Sequence, residues 1–364
     1  MERGNLCLYE KTIRYIAEII LANIDKPGYK LPTEAELSKA LNVSRITATT
    51  AYRAVNETGA IVRIQSKGSF IAAGANAEKV KSLLGAEQTE RVIKIGVILP
   101  SARSRHVMDI LSGILEKTKN YRTIVATTDM SQSLEQAQIR DMLKENVDGL
   151  IIYPVDEDHY NSSLLNLAVN NFPVVLADRY LHGLDFCCAL SDNADMAEKS
   201  TELLISHGNR DILFFHANES VPSSIAARRD GYIATLQKHG VSAYHVYQYE
   251  AKCKESVAEN FAKFMQSRPQ ITAAVTADYK SGKLFSQYLR ERNVGTPQDM
   301  EVVYIDFDEE DACPYGKTPT YIRQDSRKIG EAAAEMMIEK IRSPHSPVQT
   351  VYIPAKLIRG NSTR

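Results

Sequence analysis

What this chain of 364 residues lacks narrows the field first. Lys and Arg number 44 and Asp and Glu 45, a net charge of −1. Overall electrostatics therefore announces neither a polyanionic nor a polycationic partner. No apolar run approaches the roughly 18 residues of a membrane span, which excludes a transmembrane helix. The opening "MERGNLCLYEK" has no long uncharged core, so no secretory signal is expected. The five cysteines (Cys7, Cys187, Cys188, Cys253, Cys313) are odd in number and lack zinc-like pairing. The adjacent Cys187 and Cys188 are expected as small buried residues of a strand rather than as a strained vicinal disulfide. The catalytic signatures GxSxG, Walker loop, GxGxxG after a first strand and HExxH are all missing. The acidic run "DFDEEDA", Asp306 to Ala312, lacks the spacing and central Gly of an EF-hand and reads as a solvated loop at a cleft mouth. No cofactor, metal site or catalytic residue is expected. The chain is expected to be cytoplasmic and not an enzyme.

What is present divides into three regions. Residues 1–72 are compact and helical and close with the hairpin-like "AIVRIQSKGSFIA". Residues 73–91, "AGANAEKVKSLLGAEQTER", have the Ala, Gly and charge content of a linker. Residues 92–364 alternate short apolar runs with amphipathic segments: "VIKIGVIL", "RTIVATT", "VDGLIIYP" and "FPVVLAD" in one series, "RDILFFHA", "AYHVYQY", "ITAAVTA" and "MEVVYID" in a second. Strands alternating with helices of this length demand parallel pairing through crossovers, so the fold class is α/β with doubly wound parallel sheets. Two series predict two lobes of similar build, sharing one cleft beyond the carboxyl ends of their strands.

The first region carries its own pattern. Thr33 and Glu36 have capping-box spacing ahead of Leu37, Ala40 and Leu41, and Ser44 is placed to cap a second helix after the tight break "NVS". In that second helix Ala48, Ala51, Tyr52 and Val55 form an inward stripe. Arg45, Thr49 and Arg53 stand four apart on another face, with Ile46 and Thr50 beside them. Two short helices joined by a tight turn make a helix-turn-helix, whose second helix enters a DNA major groove by its amino end. Arg63, Gln65, Lys67 and Gly68 fall at the hairpin turn as a wing, where Gly68 permits close backbone approach. The charge surplus is mild: ten Lys or Arg against seven acids in residues 1–72. The alternative is a solvent-facing helix with Thr as filler.

The stretch "GYKLPTEAELSKALNVSRITATTAYRAVNETGAIVRIQSKGSFIA" resembles the GntR family of winged-helix regulators. That resemblance places Lys30, Thr33, Ser44, Arg45 and Thr47 on positions that meet DNA in the family, and Gly68 at the wing tip. Two family arginines are replaced, by Ala35 and Thr49, which leaves the preferred operator bases open; Arg53 offers partial compensation.

In the long region, "KIGVILP", "VDGLIIYP", "FPVVLADRY", "LSDNADMAEKSTELLISHGNRDILFF", "SIAARRDGYIATLQKHG" and "TYIRQDSRKIGEAAAEMMIEKI" resemble, in this order and spacing, the LacI/GalR effector-binding domain. That domain is similar to periplasmic sugar-binding proteins. Joined to a GntR-type head, the build is similar to that of the arabinose-responsive repressors. Sugar recognition needs charged or amide groups just past strand ends and an apolar or aromatic face. The candidates are Ser101, Arg103 and His106 after the first strand, Asp129 after "IVATT", Asp178 and Arg179 after "FPVVLA", and Asp306 after "VVYI". Arg228 falls where the LacI-like pattern places its ligand-binding arginine. The pattern's amide residue is Ala277 here, followed by Asp278 and Tyr279, the latter a candidate aromatic wall. Plainer roles stand beside these: helix-surface charge for Arg228, a mutual pair for Asp178 and Arg179, a cap or surface position for His106, a strand end for Asp129.

The resemblance implies a DNA-binding regulator, a repressor of carbohydrate-utilisation genes. It would dimerise on a palindromic double-stranded operator and answer to a small sugar of the pentose or deoxyhexose class. A free-standing sugar receptor and an enzyme on the same scaffold are the competing readings. The first needs no DNA-binding head; the second needs motifs that are absent.

Overall fold

The computed structural model describes residues 8–65, 67–85, 92–155, 161–217, 221–241, 246–250, 257–307, 318–344 and 346–364. The head begins with α1 (Leu8–Ala22), α2 (Glu34–Leu41) and α3 (Arg45–Glu57), followed by β1 (Ile61–Ile64) and β2 (Gly68–Ile71). Local chemistry sets the boundaries. The Thr33 hydroxyl accepts from the Glu36 amide at 3.2 Å while the Glu36 carboxylate accepts from the Thr33 amide at 2.8 Å, a complete capping box. Asn42 ends α2 in the left-handed region (φ 57°), and the Ser44 hydroxyl then caps α3 at the Thr47 amide, 3.0 Å. The inward stripe of Ala48, Ala51, Tyr52 and Val55 meets Ile16, Ile20 and Leu37 in one core. Fully burying each of the larger side chains contributes about 1.5–3 kcal/mol. β1 and β2 pair antiparallel from Ile61 with Ile71 to Ile64 with Gly68, and Gly68 sits at φ +115°.

The stretch read as linker contains a further helix, α4 (Ala77–Gly85). Its Val80 is buried in the head's core, with Leu83 and Leu84 against the same cluster. The amphipathic "AEKVKSLL" supplies an apolar stripe that α1 covers, so this part of the stretch belongs to the head.

The remainder comprises β3 (Lys94–Leu99), α5 (Arg105–Lys117), β4 (Arg122–Thr127), α6 (Gln132–Lys144), β5 (Gly149–Ile152), α7 (Ser162–Val169), β6 (Val174–Ala177) and β7 (Cys187–Ser191). Then follow α8 (Asn193–Ser206), β8 (Ile212–His216), α9 (Ser223–Lys238), β9 (Val246–Glu250), α10 (Val257–Gln266), β10 (Ala273–Thr276), α11 (Tyr279–Glu291) and β11 (Glu301–Ile305). The chain closes with β12 (Thr320–Arg323), α12 (Ser326–Arg342), β13 (Thr350–Ile353) and β14 (Lys356–Ile358). Two six-stranded sheets result, in the orders β13-β7-β6-β5-β3-β4 and β14-β12-β11-β10-β8-β9. Every pair is parallel except β12 with β14. Helices cover both faces, which is why β5, β6 and β7 read as unbroken apolar runs. Cys187 and Cys188 are free and buried in β7.

The lobes are not two successive halves of the sequence. The chain crosses between them after β7, returns after β12 so that α12 and β13 complete the first lobe, and crosses again between β13 and β14. These three crossing segments make the hinge, the Asp192 amide of the first donating to the Ile353 carbonyl ahead of the third at 3.0 Å. α12 lies hard against α5: a Cβ on Gly330 would stand 1.9 Å from the Ile110 carbonyl oxygen, and one on Gly113 2.0 Å from that of Arg327. Only glycine permits this backbone approach, and it brings the amino ends of both helices to the cleft.

Candidate functional site

The left-handed region recurs where strands end at the cleft. Asp178 after β6 (φ 65°) and Asp306 after β11 (φ 62°) both adopt it, as a short polar residue tolerates more readily than a bulky one. The Asp306 carboxylate borders the space between the lobes, and Asp178 lies buried just behind His106, which lines it. That space measures about 580 Å³. Ser101, Arg103, His106 and Ser326 line it from the first lobe, with Asp278, Tyr279, Asp306, Arg323 and Gln324 opposite.

Two connected clusters form its floor. His106, in the first turn of α5, meets Asp178 Oδ1 through Nε2 at 2.8 Å and Ser326 Oγ through Nδ1 at 2.7 Å. Tyr153 completes the group, its phenol hydrogen-bonded to Asp178 and its ring edge-on to His106 at 6.2 Å. Asp178 is only 5% exposed. Burial pushes its carboxyl up, but the His106 charge and hydrogen bond, the Tyr153 hydrogen bond and the nearby Arg179 outweigh burial and hold it well below the usual carboxylate range. Burial pulls the His106 imidazole down, yet Asp178 leaves it raised above its ordinary value.

In the second cluster Arg228, 4% exposed, extends from α9. Its Nε donates to Asn193 Oδ1 at 2.8 Å, and its Nη1 to the Ala277 carbonyl at 2.7 Å and to Asp306 Oδ2 at 3.4 Å. Gln324 donates to Asp306 Oδ1 at 2.6 Å and accepts from the Ser191 hydroxyl. Ser191 and Gln324 sit on two of the three hinge crossings, so a cleft-lining carboxylate is bonded directly into the hinge.

The structure therefore assembles His106 with Asp178, and Arg228 with Asp306, around one cleft, and Ser101, Arg103, Asp278 and Tyr279 line it. Asp278 also caps α11 through the Ser281 amide at 2.7 Å. Tyr279 is 39% exposed at the cleft, with the Lys283 ammonium 5.2 Å over its ring. Asp129 has no contact with either cluster described above. It lies exposed at the end of β4, the outermost strand of its sheet, whereas Asp178 and Arg228, also outside the lining of the cleft, reach it through His106 and Asp306. Arg179 joins the first cluster from behind, its guanidinium 5.2 Å over the Tyr153 ring and its charge acting on Asp178. Gln324, Ser326 and Tyr153 escaped sequence reasoning, although all three stand inside quoted motifs ("TYIRQDS", "VDGLIIYP"); their signal was a polar residue directly at a strand end or crossing. Residues 308–312 of the acidic run lie outside the described residues.

On the head, Lys30, Thr33, Arg45, Arg53 and Lys67 are exposed. Lys30 bridges to Phe70 beside the wing, and its Cε stands 3.5 Å from where a Cβ on Gly68 would be. Arg63 pairs with Glu34 at 2.7 Å and stacks over Tyr52 at 5.6 Å. Thr49 returns its hydroxyl to the Arg45 carbonyl at 2.9 Å. Ser44, Thr47 and Thr50 stand on the other side of the head. They line a crevice closed by Asp148, Asn171, Phe172 and Pro173 of the first lobe, and Ser44 is 8% exposed.

Comparison with known proteins fits this geometry. Residues 92–361 match the family of periplasmic binding proteins and sugar binding domains of the LacI family, and residues 8–71 match the gntR family of bacterial regulatory proteins. The arabinose metabolism transcriptional repressor of Geobacillus stearothermophilus is 26% identical over 377 aligned positions, covering 100% of both chains. Among solved structures, the transcription regulator CcpA of Lactococcus lactis has a TM-score of 0.65 at 20% identity, over 75% of this chain and 100% of that one. A LacI family regulator from Enterococcus faecium with bound ribose has a TM-score of 0.61 at 18% identity, over 74% of this chain and 98% of that one. Both structural likenesses are of fold. Among the described residues no helix is long and apolar enough to cross a membrane.

Proposed function

The chain belongs to the LacI-type family of periplasmic binding proteins and sugar-binding domains, and from that premise we propose that it is a cytoplasmic repressor of carbohydrate-utilisation genes whose operator affinity is set by a sugar held between its lobes. It is a DNA-binding transcriptional regulator and not an enzyme. The observation that carries the reading is the hinge-linked floor of the cleft, where Asp306 is tied through Gln324 to Ser191. Vicinal hydroxyls of a sugar offer paired donors and acceptors that a buried carboxylate and an arginine recognise in bidentate fashion. Asp178, Asp306 and Arg103 supply such groups, and Tyr279 supplies the apolar face. A volume of about 580 Å³ lies within the range of small-molecule sites and accommodates a pentose or deoxyhexose with ordered water.

Two heads in a homodimer read a two-fold operator, Arg45, Thr47 and Thr50 of α3 entering the major groove while Lys30, Arg53, Lys67 and Gly68 engage phosphates. Because sugar and operator favour different lobe arrangements, each weakens the other by the same coupling energy, about 1–3 kcal/mol. The test is a thermal-shift screen of pentoses and deoxyhexoses followed by operator titration with any hit. A specific sugar at about a hundredfold excess over its Kd adds about 2.7 kcal/mol of stability and shifts operator affinity. Operator binding that no stabilising sugar alters refutes the regulatory reading.

A further inference from the structure

The amino-terminal edge of α3 is the part of the head that must approach base edges, and it is the part that the first lobe covers. Ile46, the second residue of α3, packs against the apolar cluster built around Phe172. Thr47 and Thr50 face the same crevice as Pro173 and Pro344. Ser44 is buried here, whereas Thr33, the equivalent cap on α2, is exposed. A B-form major groove is about 12 Å wide and 8.5 Å deep. A helix seated in it has no room for a protein lobe on the same edge.

We propose that the docked head is a DNA-incompetent state of the chain, in which the first lobe masks the base-reading edge of α3 and must release it before a duplex is read. Lys30, Arg45, Arg53 and Lys67 stay exposed while Ser44, Ile46, Thr47 and Thr50 face the lobe, so masking falls on one side of the reading edge and acts on sequence-specific binding more than on general attraction to DNA. The docking surface and the effector cleft are opposite ends of the same strand. Pro173 precedes β6 at the crevice and Asp178 follows it beside His106 of the cleft, a separation of about 17 Å for five extended residues. The inference rests on the DNA-binding reading, and the experiment separates the two.

The probe is a duplex selected from a random pool by the full-length chain, with a scrambled duplex as comparison. Failure to select any duplex counts against the DNA-binding reading itself. Cys7, Cys253 and Cys313 are replaced by Ser, and Tyr9→Cys and Pro344→Cys, from opposite walls of the crevice and outside the proposed DNA contacts, are joined with a short bismaleimide. The linked monomer is expected to lose the selected duplex by more than about tenfold while the unlinked protein binds it normally, because a fixed docked state removes the competent fraction. Failure of the pair to link in the native chain, or equal binding by linked and unlinked protein, overturns the proposal. Pro344→Tyr wedges the crevice open. If the docked form holds about two-thirds of the free protein, this variant binds the selected duplex about threefold more tightly and the scrambled duplex unchanged. Equal tightening on both duplexes, or none on either, counts against docking as the cause.

Discussion

Replacing Asp178 with Asn tests the floor of the cleft most directly. Asp178 is buried, bonded to His106 at 2.8 Å and to the Tyr153 phenol. Removing one partner of a buried ion pair costs about 3–5 kcal/mol when the remaining charge is stranded. Here the cost is smaller, about 1–3 kcal/mol, since the amide retains a hydrogen bond and His106 can shed its proton. That escape makes the loss depend on pH. In the native protein His106 is raised above its ordinary value of 6.5, so its contribution is full below about pH 6.5 and is lost as pH rises through the folded value. In the variant, burial acts without Asp178 and depresses the imidazole, so folding below pH 6.5 must expel a proton that the unfolded chain holds. The destabilisation is therefore greater at pH 6 than at pH 8. Urea unfolding of the full chain at both pH values, followed by a probe of the lobes, reads it. Equal destabilisation at the two values would show that His106 carries no charge in the folded protein, and the electrostatic account of the site would fail.

Three further outcomes follow from particular contacts. Arg228→Ala leaves the Ala277 carbonyl and Asp306 without their buried cation; operator binding is expected to survive while its response to sugar disappears, at about 2–4 kcal/mol of lobe stability, read by operator titration with and without sugar. Gly330→Ala drives a methyl into the Ile110 carbonyl and is expected to cost about 3 kcal/mol or more, lowering the thermal midpoint of the lobes but not of the head. Glu301, at the start of β11, is raised by burial but held down to about 2 overall by Arg364, Asn209 and His207. Its stabilisation is present above about pH 4.5 and lost as pH falls toward 2, so Glu301→Gln flattens the acid side of the stability profile, which acid titration of the unfolding midpoint checks.

The parts of this protein legible in its sequence are those governed by neighbours along the chain. The capping box at Thr33 and Glu36, the cap at Ser44, the apolar stripe of α3, the wing glycine and the alternation of buried strands with helices depend on period and on residues three or four positions apart. The pairings of the cleft do not. His106 meets Ser326 across 220 positions and Arg228 meets Asp306 across 78, so no local spacing could announce them. Resemblance marked Arg228, and position at a strand end marked Asp178 and Asp306. The same strand-end rule also picked Asp129, and it could not show that β4 stands at the edge of its sheet, because sheet order is invisible until strands pair. The helix inside the presumed linker was overlooked because Ala, Gly and charge also suit a short amphipathic helix once α1 supplies a surface.

Sequence alone thus determined most of the elements, their class and the division into a head and a two-lobed region, since helix and strand periodicity and capping act within a few residues. Tertiary structure alone decided that α12 and β13 return to the first lobe, that Ser191 and Gln324 wire the hinge to Asp306, and that the reading edge of α3 rests on the ends of β5 and β6. Each of those is a contact between distant segments, set by how the sheets close and by where two glycine-bearing helices can touch backbone to backbone.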